Sequence, residues 1–246
     1  MSSQSSTHLV LRGSRRTELI FIFAIIALFF SAGGSSAQEV RSGWEAVDSG
    51  IEVDLNSAEA IDGEMWAFGS GGVIIRSIDE GKTWSESGIS INQDLTSSDA
   101  SFGAIAVAGN SGTVLLMNEG QWFDVSHPEV NSDIKDIALT GNNSFVVISE
   151  SSIMNCIVSE GGEADWSYVD SSFSEEELLS ISFLDSENGL ISGENGTILA
   201  SSDGGSTWDY RDAPSEVSSS TIVDIEYHST IRAYAITDEG HILKSS

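Results

Sequence analysis

Beyond its first 37 residues, the chain carries apolar positions in short runs, continuous or alternating, each closed by Gly, Asn, Asp or Ser. LLSISFLD, GLISG, TILASS and TWDYRD follow one another in this way between residues 178 and 212. Short runs bounded by turn-forming residues predict β-strands. No apolar stripe of period 3.6 persists long enough for a substantial helix, and FSEEELL at residues 173–179 has room for one helical turn. The pattern therefore predicts an all-β fold.

The runs recur with a fixed period. Trp44, Trp84, Trp122, Trp166 and Trp208 are separated by 40, 38, 44 and 42 residues. Gly72, Gly112, Gly196 and Gly240 each stand just before an apolar pair, and the pair Ile134 and Ile137 is echoed by Leu178 and Ile181 and again by Ile222 and Ile225. Three rulers with one period of about 42 residues point to four-stranded propeller blades.

Within the period, GSGGVIIRSIDEGKTW at residues 69–84 is matched by GENGTILASSDGGSTW at residues 193–208. A tight turn between a third and a fourth strand leaves backbone N–H groups without ladder partners. Asp and Ser side chains accept bonds from such groups, Gly tolerates positive φ, and a following Trp buries a large ring against the neighbouring sheet. Ser77, Asp79, Gly81, Thr83 and Trp84 fill every position of the pattern Ser-x-Asp-x-Gly-x-Thr-Trp, as do Ser201, Asp203, Gly205, Thr207 and Trp208. The second unit keeps Asn118, Gly120 and Trp122 with one residue deleted, and the third keeps Ser159 and Trp166. This is the Asp-box, or bacterial neuraminidase repeat. With the glycine turn and apolar strand before it, residues 44–246 most resemble the photosystem II assembly and stability factor propellers of chloroplasts and cyanobacteria. Sialidases and the sortilin luminal domain are similar at greater distance.

The fifth unit, TIVDIEY, RAYAIT and HILKSS, has no fourth strand, whereas GWEAVDS at residues 43–49 reads as a fourth strand without the other three. A propeller of about five four-stranded blades follows, the last blade closed by the N-terminal strand with Trp44, which would remove two exposed sheet edges. The resembled family generally has more blades, so a truncated or oligomer-completed ring is the alternative.

Residues 1–37 are of another kind. Arg12, Arg15 and Arg16 precede an apolar run at residues 19–30 and then SAGGSSA, the three parts of a secretory signal. The run falls short of the roughly 20 residues that span a bilayer. Ser35 and Ala37 suit a cleavage site, which predicts a single mature domain at residues 38–246, extracellular or associated with the cell envelope. SRRTELI also resembles a twin-arginine signal, although Glu18 stands where an apolar residue is usual.

Charge narrows the partners. The chain holds 10 basic and 38 acidic side chains, a net charge of -28, and removal of three Arg and one Glu with the signal leaves 7 and 37. Such a surface repels phosphate backbones and anionic headgroups, which excludes nucleic acid and bare membrane. The acid is interleaved with apolar residues along the whole chain, as in proteins adapted to high salt; a cold marine source is the rival reading.

Chemistry adds little. Cys156 is the only cysteine, so no internal disulfide can form, and its apolar neighbours predict burial. No histidine pair has metal-ligand spacing, and we expect no cofactor and no structural zinc; calcium where acidic loops such as DSENG at residues 185–189 converge is the open alternative. A sialidase relationship implies an arginine trio, a tyrosine nucleophile with its glutamate, and an acidic proton donor. Arg41, Arg76, Arg211 and Arg232 are the only mature arginines, none on an expected innermost strand. Asp136 and Asp224 fall on inner strands, where carboxylates this numerous arise without catalysis. We expect no catalytic residues and a monomeric binding or assembly module. It would hold a protein or glycan through the loops at residues 88–101, 126–132, 170–177 and 213–220, which carry Ile89, Ile91, Leu95, Phe173 and Val217 as scattered apolar contacts. A sialidase-like or other glycan-active hydrolase is the alternative.

Overall fold

The computed structural model describes residues 46–150, 152–169, 176–230 and 232–245. They form 19 strands in five antiparallel sheets, each taken in chain order. Blade 1 comprises β1 (Leu55–Ile61), β2 (Glu64–Gly69), β3 (Ile74–Ser77) and β4 (Ser85–Glu86). Blade 2 comprises β5 (Leu95–Ser101), β6 (Ala104–Gly109), β7 (Val114–Asn118) and β8 (Gln121–Asp124). In blade 3, β9 (Asp136–Gly141), β10 (Ser144–Ser149), β11 (Ser152–Val158) and β12 (Ala164–Tyr168) follow. Blade 4 has β13 (Leu178–Phe183), β14 (Gly189–Gly193), β15 (Ile198–Ser201) and β16 (Asp209–Tyr210), and blade 5 has β17 (Ile222–Ser229), β18 (Arg232–Thr237) and β19 (Ile242–Lys244). The fold is an all-β propeller arrangement. No helix among the described residues is long and apolar enough to cross a membrane.

The period seen in the letters is a period of backbone geometry. Gly69, Gly109 and Gly193 end the second strands where the chain entering the first strand crosses them. A Cβ on these glycines would sit 2.2, 2.0 and 2.3 Å from the carbonyl oxygens of Asp54, Asp94 and Glu177. No other residue fits that approach. A few residues on, Gly72, Gly112, Gly196 and Gly240 have φ of 76°, 71°, 68° and 85°, the left-handed turn that opens the third strand.

First strands of successive blades lie side by side around the axis, β1 by β5, β5 by β9, β9 by β13 and β13 by β17. Core therefore accumulates between blades. Trp66, Phe68 and Ile74 of blade 1 meet Leu95, Ile105 and Leu115 of blade 2, and Ala106, Ala108 and Val114 of blade 2 meet Ile137, Leu139 and Phe145 of blade 3. Val146 and Ile148 meet Ile181 and Trp208, and Leu190 and Ile198 meet Ile225 and Ala235, at the next two boundaries. Each fully buried aliphatic side chain contributes about 1.5 to 3 kcal/mol. Cys156 lies in this core, where burial pushes its thiol up to about 12.

The two ends differ from the interior. No packing of comparable extent joins β17 back to β1 among the described residues. Leu55 is 36% exposed where its counterparts Leu95 and Leu178 are 0% and 1% exposed, and Ile242 is 76% exposed where Val114 is 0%. Of the segment expected to close the ring, Trp44 lies outside the described residues. Its described part, residues 46–49, forms no strand, and the fifth sheet has three strands. Residues 1–37 also lie outside the described residues. Of the expected helical turn, residues 173–175 do so as well, and Leu178 and Leu179 begin β13.

Candidate functional site

Two sets of polar residues are held by the repeat. The first is the turn between third and fourth strands. Ser77 Oγ accepts from Gly81 N at 2.9 Å and donates to Asp79 Oδ1 at 2.8 Å. Asp79 accepts from Thr83 N at 2.9 Å and Thr83 Oγ1 at 2.7 Å. Trp84 Nε1 donates to Gly81 O at 3.1 Å. In blade 4 the same five contacts, through Ser201, Asp203, Gly205, Thr207 and Trp208, measure 2.9, 2.8, 2.9, 2.6 and 3.0 Å. The Thr83 hydroxyl, first, then its backbone N–H and Ser77 hold the Asp79 carboxyl down at about 2; Asp203 is lowered in the same way, by Thr207 first. These carboxylates are occupied by the turn. Trp208, buried at its far end, packs edge-on against Phe183 and onto the face of blade 3.

The second set lines the axis. Ser97 Oγ and Ile137 N donate to Asp136 Oδ1, and Ile181 N donates to Asp136 Oδ2 at 2.8 Å, so one carboxylate ties blades 2, 3 and 4 together. Leu139 N donates to Asp99, Ser98 Oγ to Glu59, and Ser180 Oγ to Asp224, each 39 to 44 residues apart. Burial, above all, pushes Glu59 up to about 7 and Asp136 up to about 6, and raises Asp99 and Glu226. These bridges went unforeseen in the sequence, although a polar residue recurring two positions after Leu95, Ile134, Leu178 and Ile222 was a signal for them.

The remaining candidates disperse. Arg76 lies on β3 and Arg232 on β18, Arg211 follows β16, and Arg41 is outside the described residues; the five inner strands hold no arginine. Asp185 accepts from Glu187 N, Asn188 N and Asn188 Nδ2, which closes the acidic turn on itself. Among the described residues no group of three His, Cys, Asp or Glu is placed to hold a metal ion. The loop residues expected to offer apolar contacts are largely spent on the core. Leu95 and Val217 are buried, and Ile89 and Ile91 pack into the boundary between blades 1 and 2. Leu95 begins β5 and Val217 ends a single 3-10 turn at residues 215–217, so burial wins over recognition. Phe173 lies outside the described residues.

A cavity of about 360 Å³ opens between blades 1 and 2. Its walls include Trp66 and Trp122, whose ring centres are 5.6 Å apart at 71°, with Ile61 and Met117. Arg76 stands 5.4 Å from the centre of the Trp66 ring and pairs with Glu64.

Among solved structures, YCF48 from Cyanidioschyzon merolae is similar over 81% of this chain and 71% of that one, at 14% identity and a TM-score of 0.59. The Cps50 (Swd1) propeller domain of Myceliophteria thermophila gives 0.61 at 11% identity over 79% and 70%. Virginiamycin B lyase from Staphylococcus aureus gives 0.58 at 14% identity over 79% and 70%. At such identities the likeness is one of fold alone. No curated protein matches the chain. Residues 90–246, well over half of the chain and four of the five blades, match the family described as photosynthesis system II assembly factor YCF48, and the chain belongs to that family.

Proposed function

We propose that the chain is an exported, non-enzymatic propeller that holds a protein partner as an assembly or binding module. The observation that carries this reading is the commitment of the axial carboxylates. Asp136 receives three donors from three blades, and Asp99 and Asp224 are each bound to a neighbouring blade. Groups spent on holding the ring at its axis are poor proton donors or nucleophiles, since catalysis needs a carboxyl within reach of substrate and free to exchange its proton. The family description, an assembly factor, supports the same reading. The acidic surface favours a cationic or neutral polar partner.

Affinity capture from the native envelope with residues 38–246, run beside a glycoside hydrolysis screen, tests this. Capture of a defined protein without hydrolysis is the expected result. Turnover of a glycoside that Asp136→Asn or Asp224→Asn abolishes overturns it in favour of a hydrolase. Export is tested separately. The intact mass of protein from its native host is expected to correspond to a start at Gln38, and a mature species retaining residues 1–37 contradicts export with cleavage.

A further inference from the structure

The cavity between blades 1 and 2 exists because one repeat unit lost its clasp. At the boundary of blades 3 and 4, Gly205 O of the Asp-box turn accepts from Trp208 Nε1 and from Asn155 Nδ2, both at 3.0 Å. Trp122 occupies the place of Trp208, and Arg76, opposite Trp66 in the register, occupies that of Asn155, opposite Val146. The turn between them has shrunk to Glu119 and Gly120, with φ of 50° and 77°, and supplies no such carbonyl. Trp84, Trp166 and Trp208 each donate the indole N–H to a backbone carbonyl. Trp122 does not, and neither does Trp66, which is 4% exposed; both N–H groups are buried without a partner. A sheltered donor left unpaired keeps its desolvation cost, which an incoming acceptor recovers.

We propose that this cavity is a peptide-binding site, taking a backbone carbonyl from a partner polypeptide where the boundary of blades 3 and 4 takes one from its own turn. Charge specifies the rest of the ligand. Arg76 is held by Glu64, whereas Asp62 and Glu119, both exposed and both on the cavity lining, have no ion pair among the described residues. The segment that fits therefore carries a lysine or arginine beside the inserted carbonyl, its cation toward Asp62 and Glu119 and its apolar stem along Trp122 and Met117. This site rests on the protein-binding reading and gives it an address.

The test uses the full mature chain and the indole N–H resonances, with two blocked hexapeptides, Ac-Gly-Lys-Gly-Lys-Gly-Gly-NH2 and its Glu counterpart. The Lys peptide is expected to shift the Trp66 and Trp122 resonances and the Glu peptide to leave them in place. Replacing residues 117–121 by the sequence of residues 77–83 rebuilds the clasp. That variant is expected to melt no lower than the parent and to lose the shifts, while Asp62→Asn with Glu119→Gln weakens the peptide by about tenfold. Absence of any shift at these two indoles, or equal shifts in the rebuilt variant, overturns the site. A rebuilt variant that still captures a native partner overturns the site and leaves protein binding standing. A parent chain that binds neither peptide nor partner overturns both.

Discussion

At the scale of single residues, the fold runs two opposite sets of carboxyl groups. Asp79 is held down at about 2, so the stability it contributes is present above its ordinary 3.8 and is lost as pH falls through 2. Glu59 and Asp136 are pushed up by burial, to about 7 and about 6. Folding keeps protons on them that the unfolded chain has released, so their stability is fully present below about pH 4 and is lost as pH rises through 6 and 7. Thermal unfolding across pH 2 to 9 is therefore expected to show highest stability near pH 4 to 5 and a decline toward pH 8. For Glu59 alone the shift corresponds to roughly 3 kcal/mol. Glu59→Gln, which keeps an acceptor for Ser98, is expected to flatten the decline near pH 7, and an optimum at pH 8 in the parent would contradict the assignment. Periodicity alone was enough to put Asp136 on an inner strand. That its oxygens would be consumed by Ser97 and Ile181 was signalled only by the polar residue recurring two positions after Leu95, Ile134 and Leu178, because the pairing depends on which inner strands become neighbours across 39 and 45 residues.

At the scale of the elements, what could be read in advance was whatever the backbone itself demands. Positive φ calls for Gly at 72, 112, 196 and 240, and orphan turn amides call for Asp and Ser, so these positions keep their letters and reveal the period. Side chains between blades obey only volume. Trp66, Ala106, Val146 and Leu190 occupy equivalent places on the second strands, and no single residue type marks the position. The same freedom hid the cavity, since a shortened turn reads as a poor repeat rather than as a site. Two substitutions separate these demands. Trp208→Ala, at a ring 5% exposed, is expected to cost about 3 to 5 kcal/mol in chemical denaturation. Gly109→Ala, which drives a Cβ to 2.0 Å from the Asp94 carbonyl oxygen, is expected to lower stability although Ala adds apolar surface. An unchanged midpoint for Gly109→Ala would mean that the crossing of chain and strand is loose.

For the molecule as a whole, the described residues form five blades whose first strands follow one another from β1 to β17. Its two terminal faces keep apolar residues that the interior boundaries bury, Leu55 and Met65 at one end and Tyr234 and Ile242 at the other. Against them works a formal charge of -28, opposed among the described residues by three ion pairs, of which Lys82 with Glu80 lies in solvent. Repulsion of this kind acts over a Debye length, about 30 Å at 0.01 M salt and about 3 Å at 1 M. Screening should thus relieve repulsion within the fold and between copies at the same time. The melting temperature is expected to climb from 0.01 to 1 M salt, and the mass by light scattering is expected to rise over the same range as the exposed ends meet. Leu55→Ser with Ile242→Ser separates the two effects, because it removes apolar surface at the ends and leaves the charge unchanged. That variant is expected to keep the rise in melting temperature and lose the rise in mass. A melting temperature indifferent to salt would show that the carboxylates are too well separated to repel. A variant that still gains mass at 1 M salt would place the self-association on some other surface than these two faces.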